Sequence, residues 1–229
     1  MSRNTCIKIR EIFSKQKTDV FRNKRMLLMF LIFPILTIFY LLIERDGIQA
    51  SGMMFMVMNV VMPPITLLAS AVSEEREKGT LRSLIFAGIK PIEFFVGVGL
   101  CMGMFNFAST CIIGIILGNG DGAGLILATA GIAIICSMLF GTTLGLYTKN
   151  QVNVAPSSAT LSMLLGISAV LGSANEKVYK VTRFFYTQVT MDIFLENEIS
   201  RGQFLILFTN FLFFLILFIL IYLRRNKAD

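Results

Sequence analysis

Ser73-Glu74-Glu75-Arg76-Glu77-Lys78-Gly79-Thr80-Leu81-Arg82-Ser83-Leu84-Ile85 is a short charged stretch set between two long apolar runs. Six of its first ten residues carry charge, so it does not lie in hydrocarbon. Gly79 interrupts the charged segment, and Thr80 follows as an N-cap for a short helix. After it, Leu81, Leu84 and Ile85 recur at helical spacing, while Arg82 and Ser83 face the other way. A solvated linker has no need of an apolar stripe; a helix that docks into a groove on another protein does. The stretch reads as a handle gripped by a soluble partner, with the apolar runs on either side as the parts it moves.

Those runs dominate the chain. Of 229 residues, 55% are hydrophobic and only 15% charged, the balance of an integral membrane protein. At about 20 residues per span the length accommodates six spans and short loops. They are expected over residues 26–43, 52–72, 94–117, 125–147, 152–171 and 203–223. Pro34 should kink the first. Pro63-Pro64 should break the backbone ladder of the second, beside Asn59. Lys90-Pro91 starts the third helix, with Glu93 in its first turn. Gly118–Gly122 reads as a tight turn, and the fourth span is rich in the small residues that let helices approach closely.

The flanks complete an all-α plan. Residues 1–25 are strongly basic, and Cys6, Ile9, Ile12, Phe13 and Val20 fall on one side of a helical wheel, which predicts an amphipathic helix lying in the membrane interface. Its long polar region, with no cleavage site after the first apolar run, is unlike a cleaved signal peptide. Residues 173–201 mix charges with Val178, Phe184, Phe185, Tyr186 and Ile193, and are expected to form short interfacial or re-entrant helices. Residues 26–223 therefore make one six-span domain, with a handle at 73–90 and a basic tail at 224–229. Only Arg45, Lys177, Lys180, Arg183 and Arg201 of the 21 basic residues fall on the side away from the termini. That bias predicts a cytoplasmic handle, N-terminus and C-terminus.

Several chemistries are missing. The chain has no histidine, which excludes a His-based metal site or general base. The spans as drawn hold no Asp, Glu, Lys or Arg, unlike ion-coupled transporters and intramembrane aspartyl hydrolases. No G-x-x-x-x-G-K-[ST] phosphate loop is present, so ATP hydrolysis would have to occur elsewhere. The positive charge sits beside spans, which points to anionic lipid rather than nucleic acid. The four cysteines read as packing residues, three of them in apolar runs.

The segment Ser73-Glu-Glu-Arg-Glu-Lys-Gly-Thr-Leu-Arg-Ser-Leu, after the second of six spans, resembles the permease subunits of the ABC type-2 exporter family, which typically carry S-E-E-[KR]-E-K-G-T-L-x-x-L there. The resemblance extends to the topology of the whole chain, which here lacks a large external domain between spans one and two. It implies a coupling helix seated on a separate ATP-binding subunit, which would itself hold ATP and Mg. It also implies a second permease copy or a sister subunit. On this reading Glu74, Glu75 and Glu77 form an acidic turn, Gly79 frees the backbone, and Thr80, Leu81, Leu84 and Ile85 enter the groove on the ATPase. The cargo would be hydrophobic or amphipathic: a peptide or bacteriocin, a drug or a lipid, exported across a bacterial cell membrane.

Polar side chains stranded in apolar helices are the candidates to line the path: Asn59, Thr66 and Ser70 on the second span, Asn106, Ser109 and Thr110 on the third, and Ser157, Thr160 and Ser162 on the fifth. The same residues would serve equally for helix–helix hydrogen bonding. Two other functions remain open on sequence: an ATPase-independent transporter or channel, and a non-transport immunity or anchor protein.

Overall fold

The computed structural model describes residues 3–43, 48–79, 88–118, 122–148 and 151–226. These form nine helices and no strand: α1 (Arg3–Arg22), α2 (Lys24–Ile43), α3 (Ile48–Glu77), α4 (Pro91–Ile116), α5 (Ala123–Tyr147), α6 (Gln151–Ala174), α7 (Glu176–Thr182), α8 (Tyr186–Glu196) and α9 (Arg201–Asn226). Six of them, α2 to α6 and α9, are long and apolar enough to cross a membrane. That is the signature of a multi-pass α-helical membrane protein. The outward faces agree: α2 exposes Ile35, Phe39 and Leu42, and α9 exposes Leu205, Phe208 and Phe213.

The bundle is built around α3. Within its span, 78% of the residues are buried, against 17–39% in the other five. It packs most extensively on α5 and α6, and also on α2, α4 and α8. The closest approach is set by two glycines one turn apart on α5. A Cβ at Gly141 would stand 2.6 Å from the Ile65 carbonyl oxygen, and one at Gly145 would stand 2.7 Å from that of Ala69. No other residue fits there without pushing the helices apart.

Pro63 and Pro64 interrupt the hydrogen-bond ladder of this helix by their missing N–H groups, and α3 nonetheless runs from Ile48 to Glu77. A proline removes a single donor at its own position, and the tight packing of α5 against Pro64 and Ile65 holds the backbone helical on either side. α3 also outruns the expected end of the span: Ser73–Glu77 are its last turns, not loop. Gly79 follows with φ +67°, a conformation that favours glycine, and turns the chain away.

α1 does pack an apolar face, though not the whole expected set. Ile9, Ile12 and Val20 are buried and Phe13 is half-buried, but Cys6 is exposed, as are Ile7 and Phe21. The buried side lies mainly on α4, where Gly97 admits it: a Cβ there would come within 2.7 Å of Ile12. Upper-limit burial of three aliphatic side chains, at about 1.5–3 kcal/mol each, makes this packing the main tether of α1.

Residues 173–201 contain α7 and α8. α8 is buried along nearly its whole length and packs on α3, α5, α6 and α9. At its start the Tyr186 hydroxyl shares a 2.8 Å hydrogen bond with Ser137, in the middle of α5. Just before it, the Phe184 carbonyl accepts from Asn210 of α9, at 2.8 Å. Asn210 lies nine residues into α9, so the turn between α7 and α8 sits roughly 13 Å below that helix's first residue, at 1.5 Å per residue. The chain then rises along α8 to Asn197, whose side chain presses against Gly122 at the start of α5.

Candidate functional site

The charged stretch is mounted on four helices. Glu75, near the end of α3, accepts from Lys15 of α1 at 3.1 Å. Glu74 pairs with Lys78 one turn on, and this carboxylate, hydrogen-bonded to the ammonium, holds Lys78 above its ordinary pKa. On the far side of the stretch, Pro91 opens α4, and the Glu93 carboxylate accepts from the Lys90 backbone N–H at 2.9 Å, the arrangement of a capping box. Lys8 of α1 reaches the Gly88 carbonyl and stands 3.8 Å from Glu93. α1 therefore contacts Glu75 on the end of α3 and, through Lys8, Gly88 and Glu93 at the start of α4. An exposed ion pair such as Lys15–Glu75 contributes under about 1 kcal/mol, so these polar contacts fix the register of α1 while its apolar face supplies the hold.

Arg76 faces the opposite way. Its guanidinium donates to the carbonyls of Gly145, Leu146 and Thr148, at 3.3, 2.6 and 3.1 Å. Carbonyls in the last turn of a helix lack intrahelical donors, and a cation there also meets the negative end of the helix dipole. Arg76 thus ties the end of α3 to the end of α5. Sequence reasoning counted it only as loop charge. The clue available was its place in the last turn of a long helix, with α5 ending in a short link to α6.

Of the expected docking residues, Glu74, Glu75, Glu77 and Gly79 are placed as above, Glu77 closing α3. Thr80, Leu81, Leu84 and Ile85, and with them the expected coupling helix, lie outside the described residues.

The candidate path residues fall into two groups. Asn59, Ser109 and Thr110 are buried together where α2, α3 and α4 meet. The Asn59 amide donates to Thr110 at 3.0 Å, and Ser109 lies 3.0 Å from the Asn59 carbonyl oxygen and 2.5 Å from the Phe30 carbonyl. Thr110 donates in turn to the backbone of Asn106. The Asn106 side chain is fully buried and, among the described residues, meets no hydrogen-bonding group. Thr66 returns its hydroxyl to the Met62 carbonyl and is buried; Ser70 is half-buried. On α6, Ser157 and Thr160 are exposed and bond back to Asn153 and Pro156, while Ser162 faces inward and bonds Ala159. Asn59, Ser109 and Thr110 pin helices within one chain, whereas Ser157 and Thr160 lie on its outer surface.

Among the described residues, no group of three or more Cys, Asp or Glu side chains is placed to hold a metal. Compared with protein-family models and with curated proteins, the chain finds no match in either.

Proposed function

We propose that this chain is the membrane-spanning permease subunit of an ATP-driven exporter of the ABC type-2 kind, worked by a separate ATP-binding subunit seated on residues 73–90. The observation that carries the reading is the motif Ser73–Leu84 together with its mounting. Its first residues, Ser73–Glu77, close the central helix, and Pro91 beyond it opens α4. α1 bridges the two, and Arg76 extends the joint to α5. A linker needs no such bracing; a point where force enters does. The charge bias supports a cytoplasmic location for this end and both termini in a bacterial cell membrane.

Two copies, or this chain and a sister subunit, would enclose the path. The exposed polar positions Ser157 and Thr160 on α6 supply an uncharged lining, with Met163 and Leu164 beside them on the same exposed surface. An uncharged path suits an amphipathic peptide, drug or lipid better than an ion. The insertion of α7 and α8 below the start of α9 supports a re-entrant hairpin in the outer leaflet, which would close that side of the path at rest. ATP binding would draw the nucleotide subunits together, tilt the handles and open the path by rigid-body motion.

The test is purification of the full chain in mild detergent with the ATP-binding subunit that co-purifies with it, followed by reconstitution. The complex should hydrolyse ATP in vesicles and respond to amphipathic cargo. A Leu81→Glu/Leu84→Glu variant should stay monodisperse but lose the ATPase. An ATPase that remains bound to that variant would refute the proposal, and so would flux catalysed by the lone chain without ATP.

A further inference from the structure

A polar recess lies at the elbow between α1 and α2. It has a volume of about 640 Å³ and is walled by both helices, the end of α3 and the start of α4. Asn23 makes the elbow: its side chain accepts from the N–H groups of Arg25 and Met26 and so caps α2. The recess is electrostatically unbalanced. Of its three carboxylates, Glu74 and Glu75 are each held by a lysine. That leaves Asp19 facing Arg22, Lys24 and Arg25, and among the described residues none of these three cations has a carboxylate within ion-pair distance. The positive end of the α2 dipole adds to the same field.

Three unpaired cations around one cavity ask for a multivalent oxyanion, and the guanidinium forks match phosphate. The flanks narrow the source. Phe21, beside the recess on α1, is 59% exposed, and Leu28, one turn into α2, is 56% exposed. A ligand that fits both surfaces carries its phosphate next to hydrocarbon. We infer that the α1–α2 elbow is a binding site for the headgroup of an anionic phospholipid, with the acyl chains lying along the exposed face of α2. The inference rests on α2 being a span and does not depend on the exporter reading. Because α1 also contacts Glu75 of α3 and Glu93 of α4, occupancy of the elbow would fix the angle at which α1 lies across the ends of those two helices.

Native mass spectrometry of the full-length chain tests this, using mixed micelles with equal phosphatidylglycerol and phosphatidylcholine of the same acyl composition. The parent should retain phosphatidylglycerol preferentially, by about fivefold for each arginine engaged. Arg22→Gln/Arg25→Gln should bring the two lipids near parity. Arg22→Lys/Arg25→Lys keeps the charge but not the forks, and should keep a preference intermediate between the parent and the glutamine pair. Lys177→Gln/Arg183→Gln removes the same charge from α7 and its turn, and should change nothing. A parent without preference overturns the site, and so does equal loss in both glutamine pairs, which would mean diffuse charge only. Displacement of phosphatidylglycerol by excess inorganic phosphate, with the phosphate retained on the lipid-free chain, would overturn the headgroup assignment in favour of a soluble phosphate.

Discussion

Arg76→Met removes the link between the ends of α3 and α5 while keeping most of the side chain's apolar length. Three carbonyls lose their donor, at 2.6–3.3 Å, and two of them, Gly145 and Leu146, belong to the last turn of α5. A hydrogen bond to a charged group is worth about 1.5–3 kcal/mol, and partial exposure lets water replace some of it, so about 2 kcal/mol is the expected cost. For a chain of this size that lowers Tm by roughly 4–8 °C. Arg76→Lys keeps the charge against the helix dipole but offers a single point of contact, and should lose about half as much. The chain supplies its own reporter, because Cys101 and Cys136 are buried and react with a thiol-specific dye only on unfolding. A Cys6→Ser/Cys111→Ser background removes the exposed thiol and the half-buried one, either of which would react before unfolding. Lys17→Met, the loss of an exposed cation on α1, serves as the charge control and should stay within about 1 °C of the parent. If Arg76→Met melts with that control, the guanidinium holds nothing and the α3–α5 tie is not a structural joint.

Gly141→Ala should be among the most damaging methyl additions in the chain, since its Cβ would sit 2.6 Å from a backbone oxygen. Overpacking of about 1–3 kcal/mol is expected, whereas Gly114→Ala, which meets nothing within 4 Å, should be neutral or slightly stabilising in the same thermal assay. Asn59→Ala and Ser109→Ala should each destabilise the bundle, and a double-mutant cycle should return a coupling of about 0.6 kcal/mol, the usual size for polar pairs between membrane helices; strict additivity would break the proposed contact.

The six spans were readable because an apolar run of about 20 residues has few other uses, and the start of α4 because Lys90-Pro91 and Glu93 form a local capping signal. The centrality of α3 was not readable in the same way. Its composition resembles that of its neighbours, and the proline pair beside Asn59 pointed only to a local gap in its hydrogen-bond ladder. What fixes its place is the four-residue spacing of Gly141 and Gly145, present in the sequence but on another helix. The depth of the α7–α8 turn was hidden for a different reason. Residues 173–201 have no single hydrophobic period, and the contacts that seat them, Tyr186 with Ser137 and Asn210 with Phe184, join positions 49 and 26 residues apart. The role of Arg76 was masked by the strength of the motif around it: in a stretch read for charge, one cation turned inward looks like the rest.

On the proposed reading, α3 is the element that carries motion between the two ends of the bundle. At 30 residues it spans about 45 Å, and besides the helices that mount the handle it packs on α8. A rod of that length transmits displacement only if it does not fold at its weakest point, and the weakest point is Pro63-Pro64, where two successive N–H donors are missing. Gly141 of α5 is packed against the carbonyls of Pro64 and Ile65, and one turn on, Gly145 is packed against Ala69. Arg76 then fastens the end of α3 to the last turn of α5, which Gly145 itself belongs to. α5 thus lies against α3 from the proline pair to the handle and prevents hinging over the part of the rod nearest the applied force. The prolines are free to bend only if α5 moves away, so a tilt imposed at residues 73–90 must displace α3 and α5 together.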